Sequence, residues 1–345
     1  MKTLRNAVIA IFAGLILMIS CKKSDIALPK SEANIDSIAS KYYEGYLKMY
    51  PLEATMQGDS RYNDLLSNNI SSEFISKEIE FYTDTQKKLQ TLDYDALSDE
   101  QKTVYDVLDY TLKDKIERYA YHPELLPFSQ FEGLPLDFPL LGSAEGNQPF
   151  KTTKDYDNWL KRIDAFVIWM NTAEKNFREG MKQNVVLPKK LVVKMIPQMH
   201  SEEIITEDFD KNIFYGPIKK MPKNFSAKDK EKYKILYQEA ISSKIIPAYQ
   251  KMGDFLEKEY LPKARNTDGI NAIPNGKNIY EYYAKSWTTT NKTPEEINKI
   301  GLQQVAMLRA EMEKVKTQLG FKGSLEQFLS SLKTDKKAMP YKPPE

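Results

Sequence analysis

Thr153-Lys-Asp-Tyr-Asp-Asn-Trp-Leu-Lys-Arg-Ile-Asp-Ala-Phe-Val-Ile-Trp-Met170 decides the fold class of this chain. Tyr156, Trp159, Leu160, Ile163, Phe166, Val167 and Met170 recur at helical spacing, and Phe177 and Met181 continue the same side. A stripe of that period belongs to an amphipathic helix with one face in a core. Threonine at 153 suits its opening turn.

The same grammar extends in both directions. Upstream, Ile35, Ile38, Ala39, Tyr42, Tyr43, Tyr46, Leu47 and Tyr50 make one helical face, which Pro51 stops. Ser98-Asp-Glu-Gln101 reads as a capping box ahead of Val104, Tyr105, Leu108, Leu112, Ile116 and Tyr119. Downstream, Pro188 suits the first turn of a helix that buries Leu191, Val192, Met195, Ile196 and Met199. Ser226 caps a long segment that Pro247 is expected to kink or divide. Thr293-Pro-Glu-Glu296 combines an N-cap, a proline at N1 and a glutamate at N3, before Ile297, Ile300, Val305, Leu308, Met312, Val315 and Leu319. Gly320-Phe321 has the form of a Schellman stop, and Ser324-Leu-Glu-Gln327 caps a last helix. Val185-Val-Leu187 is too short to argue a strand, and no repeat of fixed period is present. The chain reads as all-α or nearly so.

Two intervals break the pattern. Residues 121–152 hold prolines 123, 127, 135, 139 and 149 among Leu125, Leu126, Phe128, Phe131, Leu134, Phe138 and Leu140. So apolar a loop is expected to lie extended against the helices, as a structural strap or a functional loop. Residues 262–278 form a second irregular stretch, rich in Gly, Asn and Pro.

The N-terminus reads as an export signal. Lys2 and Arg5 precede an apolar run of 13 residues from Ala7 to Ile19, too short to span a membrane, and Ser20-Cys21 follows. Met18 stands where lipoprotein signals usually carry Leu. The expected division is a signal at 1–20, a polar tether at 21–33 and a helical domain at 34–345, with lipid on Cys21. The alternative is a plain secretory signal that contains a cysteine. Acyl chains contribute about 0.8 kcal/mol per buried CH₂, so two or more hold a protein stably on a membrane. The expected location is the cell envelope, lipid-anchored to a membrane and by expectation the outer one, facing either the periplasm or the exterior.

Cys21 is the one cysteine of 345 residues, so disulfides are excluded and stability rests on packing. The 21 Tyr, 15 Phe and 3 Trp supply large buried areas, and the Tyr and Trp among them need polar partners. Lys plus Arg total 50 against 48 Asp plus Glu, a balance that gives no argument for nucleic acid as a partner.

Chemistry is sparse. His122 and His200 are the only histidines, and their spacing excludes a local zinc motif. Each is expected to be structural or solvent-facing. No G-x-S-x-G elbow and no phosphate loop is present. One segment stands out: Tyr50-Pro-Leu-Glu-Ala-Thr-Met-Gln-Gly-Asp-Ser-Arg-Tyr-Asn-Asp64. Its Asp59 and Arg61 either tie a helix-to-helix connection or set Arg61 on the rim of a cleft.

This segment resembles the opening signature of a bacterial family catalogued as domain of unknown function 885. Further resemblances follow in order at Leu126–Gly133, Thr153–Arg162, Glu179-Gly180 with Val185–Pro188, Gly276–Tyr283, Thr293–Gly301 and Gly320–Ser324. The resemblance implies the N-terminal half of a helical, gluzincin-type, oligopeptidase-like zinc peptidase. The family's H-E-x-x-H-type element lies in a second half that this sequence does not include. The expectation is therefore no catalytic or metal residue and no cofactor in this chain. Zinc and a peptide substrate are expected only with the second half. Arg61, Gln130, Tyr280, Tyr282 and Tyr283 are the candidate substrate contacts. The alternative is a non-catalytic helical lipoprotein serving as a binding or assembly module.

Overall fold

A computed structural model describes residues 34–335; the signal, the tether and Cys21 lie outside the described residues, as does the segment 336–345. Among the described residues the protein is all-α, with no strand and one isolated bridge, between Pro188 and Arg265. No described helix is long and apolar enough to cross a membrane.

The N-terminal layer packs α1 (Ile35–Met49) against α3 (Ser72–Leu89) and α4 (Asp99–Arg118), with the short α2 (Pro51–Met56) running on from α1. Its core is Ile35, Ile38, Tyr82, Leu89, Leu108 and Leu112. Ser98 and Gln101 form the capping box of α4.

The interval 121–152 is not extended throughout. Gly133, at φ 130°, starts α5 (Leu134–Gly142), which has Pro135 in its first turn and Pro139 inside. Pro139 has no N–H for the carbonyl of Pro135, and the Tyr249 hydroxyl donates to that carbonyl instead, at 2.7 Å. A helix broken by proline in sequence is thus completed by a side chain from a distant element. The Phe138 ring then stacks on Phe166 and Trp159, with centroids 4.0 and 4.6 Å away. Burial in the main core is the reason the segment coils.

The main body is built on α6 (Thr153–Lys182), whose N-cap Thr152 forms a capping box with Asp155. α7 (Lys189–Met199) packs on α9 (Ile246–Phe255), and α9 and α8 (Ala227–Ala240) lie against α6. The long segment is divided just before Pro247, as its sequence suggested. A π-turn over Ile241–Ile245 sets the proline in the first turn of α9, where a missing N–H costs little. A second π-turn covers Leu256–Tyr260. Buried tyrosines bond to backbone across these helices: Tyr156 donates to Pro217 O at 2.7 Å, Tyr233 to Thr153 O at 2.9 Å and Tyr237 to Tyr156 O at 3.2 Å.

After the irregular stretch come α10 (Gly276–Thr288), α11 (Pro294–Gln318) and α12 (Leu325–Leu332). Thr293 and Glu296 form the expected capping box. Gly320, at φ 72°, donates to Thr317 O, and Phe321 donates to Lys316 O, which is the Schellman pattern.

Arg162 joins the two layers. It is fully buried, and its guanidinium donates to Leu65 O (3.0 Å), Tyr62 O (3.1 Å), Thr55 Oγ1 (2.7 Å) and Gln148 Oε1. Burial lowers its pKa to about 10, while the nearby Asp64 carboxylate opposes the shift. The group is still a cation at neutral pH. Replacing Arg162 with Met strands several buried acceptors, at a cost of at least about 3 kcal/mol. Urea unfolding followed by circular dichroism is expected to show that loss, with no rescue by Arg162→Lys, which has fewer donors and no fork. Equal stability of R162M and the parent would contradict this account.

Candidate functional site

A cleft of about 540 Å³ lies between the N-terminal layer and the main body. The α1–α2 junction, the end of α4, the loop before α5, Trp169 of α6 and Tyr283 of α10 all contribute walls. Phe128 and Trp169, both buried, give it an apolar floor. Glu53, Glu124 and Glu132 line it with Arg118 and His122.

Behind the wall formed by Tyr50 and Tyr119 lies Glu78, which is 1% exposed. Its carboxylate accepts from three phenols: Tyr50 and Tyr82 on Oε1, Tyr119 on Oε2. Three donors replace the water that a buried carboxylate loses, so no cation is required. Burial, followed by the charges of Tyr82 and Glu78, holds the Tyr50 phenol far above the ordinary tyrosine value. Tyr82 and Tyr119 are raised in the same direction, chiefly by burial. This cage ties the C-terminal ends of α1 and α4 to the middle of α3 and so fixes the wall of the cleft.

The chain turns sharply at the rim. His122 has φ 49° and ψ 54°, a left-handed conformation that costs a residue with a β-carbon, here directly before Pro123. Its Nδ1 lies 3.0 Å from Glu124 Oε1. Glu124 Oε2 is buried and has no hydrogen-bond partner.

The five candidate contacts divide. Tyr283 lines the cleft. Arg61 does not; its guanidinium is held by Asp59 at 2.6 Å and Glu44 at 2.7 Å on an exposed surface, the connection-tying arrangement. Gln130 follows the cleft residue Ser129, and its backbone carbonyl accepts from Gln198 Nε2 at 3.0 Å. The Tyr282 ring packs 4.9 Å from Tyr121, and its hydroxyl donates to Asp114 O at 3.1 Å. Tyr280 is half exposed and lies outside the cleft.

Sequence reasoning missed Arg162 and Glu78, although each left a signal. Arg162 stands three residues after Trp159 and four before Phe166, a charge inside an apolar stripe. Glu78 stands four residues from both Phe74 and Tyr82. A charge at a core position needs a buried partner set. Among the described residues, no cluster of three metal-ligating side chains lines the cleft; one such cluster, His200, Asp254 and Glu257, lies elsewhere.

An all-helical body of two packed layers around a cleft is the class of protein these observations define. The chain matches the model of "Bacterial protein of unknown function (DUF885)" over residues 51–344, and it belongs to that family. It is similar in fold to the crystal structure of "the putative lipoprotein from Colwellia psychrerythraea", with a TM-score of 0.71 and 19% identity. The match covers 88% of this chain and 55% of that one, so the chain spans about half the length of its structural relative. No curated protein matches it.

The tyrosine cage has a pH signature. The three phenols are harder to ionise in the folded state than in the unfolded chain, whose tyrosines titrate near about 10. Their contribution is complete below that pH and is lost as pH rises above it, because the unfolded chain then releases protons that the folded chain retains. Stability measured from pH 8 upward is expected to fall beyond about 10. The Glu78→Gln variant is expected to start about 1.5–3 kcal/mol lower at neutral pH. Tyrosinate absorbance that rises for every tyrosine before any loss of helix would contradict the cage.

Proposed function

We propose that this chain is the N-terminal part of a lipid-anchored, zinc-dependent peptidase of the cell envelope, and that its cleft holds part of the peptide. The observation that carries the proposal is α11. This helix of 25 residues has no buried residue, and Leu302, Val305, Leu308, Met312, Val315 and Leu319 stand exposed along it. A helix is rarely left with such a stripe in water. The structural relative has a large part of its chain beyond the matched region, and a counterpart of that part would cover the stripe.

The cleft supports the peptide reading. It has an apolar floor for side chains and acidic and basic groups on its walls, the composition of a pocket for an amphipathic ligand. In this reading metal and general base come from the second half, where zinc would activate water. Attachment through Cys21 would hold such an enzyme near a membrane, as the word lipoprotein in the relative's name suggests for that protein.

Two measurements test this reading. Residues 21–345 alone are expected to show no chelator-sensitive peptidase activity and to bind a hydrophobic dye strongly through α11. Co-expression with sequence encoded downstream of codon 345 is expected to suppress the dye signal and produce zinc-dependent cleavage of short peptides. Clean monomeric behaviour without dye binding, and no downstream coding sequence, would instead favour the non-catalytic binding module. For the cleft, Glu132→Arg on its exposed lip is expected to change short-peptide affinity at least about threefold at unchanged Tm. No change in that affinity would remove the cleft from the proposal.

A further inference from the structure

His200, Asp254 and Glu257 converge where the end of α7 meets the end of α9. His200 is the C-cap residue of α7, Asp254 belongs to α9, and Glu257 lies one turn on, in the second π-turn. Asp254 and Glu257 share a helix face because they are three positions apart. One ligand atom from each of the three side chains lies within 4.8 Å of the other two.

Two details make this more than a chance meeting of surface charges. The imidazole is seated on the backbone of α9 at Gly253, where a β-carbon would lie only 2.4 Å from Nε2. Glycine at that position admits the ring. Asp254 also divides its oxygens: Oδ2 accepts from Lys258 Nζ at 2.9 Å, while Oδ1 faces His200 Nε2 at 3.9 Å. That gap is too long for a hydrogen bond. Two metal–ligand bonds of about 2.0–2.2 Å span such a gap at an obtuse angle. Lys258 meanwhile orients the carboxylate through its other oxygen, as outer partners of metal ligands do.

We infer that His200, Asp254 and Glu257 form a binding site for a first-row divalent cation that clamps α7 to α9. One imidazole nitrogen and two carboxylate oxygens suit zinc or manganese, with water in the remaining positions. None of the three residues lines the cleft, so the site is separate from the proposed peptidase chemistry. Its role is to fasten the joint between two helices of the main body.

The sequence makes the test clean, because His122 is the only other histidine and Cys21 the only thiol. Residues 21–345 without an affinity tag, carrying Cys21→Ser, would be titrated with zinc chloride and with manganese chloride by calorimetry. One equivalent is expected to bind, and zinc is expected to shift the ring signals of His200 but not those of His122 in proton NMR. His200→Gln and Asp254→Asn are expected to weaken binding by at least about tenfold, with His122→Gln unaffected. The three substituted side chains are partly or fully exposed, so the variants are expected to keep the parent helix content. Absence of binding at millimolar metal, or equal loss in H122Q and H200Q, would overturn the site. Neither result bears on the peptidase reading.

Discussion

The buried guanidinium of Arg162 is the constraint on which the arrangement of the two layers depends. It has no carboxylate within hydrogen-bond reach and is satisfied by acceptors from Thr55, Tyr62 and Leu65, on the segment between α1 and α3, and by Gln148. A cation of this kind is costly to bury, and only a complete set of acceptors offsets the cost. The segment is therefore held in one conformation. Thr55 Oγ1 also donates to Asn63 Oδ1 at 2.7 Å, and Asp59 caps the turn that follows through the Arg61 amide. The signature around Tyr50–Asp64, read either as a tied connection or as a cleft rim at Arg61, cradles a structural arginine through Thr55 and Tyr62, while Tyr50–Glu53 line the cleft.

A second theme is the use of tyrosine hydroxyls where backbone or charge would otherwise be unsatisfied. Tyr249 supplies the donor that Pro139 lacks, and Tyr50, Tyr82 and Tyr119 surround Glu78. Without disulfides, this chain gains specificity from aromatic bodies that fill volume and from single hydroxyls that bond across it. Tyr50 and Tyr119 of the cage also form part of the wall of the cleft.

The helices were legible because their caps and stripes are local. The capping boxes at Ser98, Thr293 and Ser324 and the Schellman stop at Gly320 stand where spacing put them. The helix over Leu134–Gly142 was not legible, since two prolines within nine residues argue against one. Its missing donor comes from residue 249, and no local window contains that information. Pro247, by contrast, suggested a kink or a division, and the segment is divided there by the π-turn over Ile241–Ile245.

Of the cleft, the sequence showed fragments: Tyr283 lines it, and the loop before α5 supplies a wall. The two buried charges, Arg162 and Glu78, announced only that something must satisfy them. By itself the sequence determined the all-helical class, the family and the places where helices begin and end, because capping and periodicity act within a few residues. Tertiary structure alone decided which acceptors surround Arg162, which phenols surround Glu78, and that His200 meets Asp254 and Glu257. Those groups come from elements far apart in the chain. Their pairing is set by how helices pack, which no local pattern encodes.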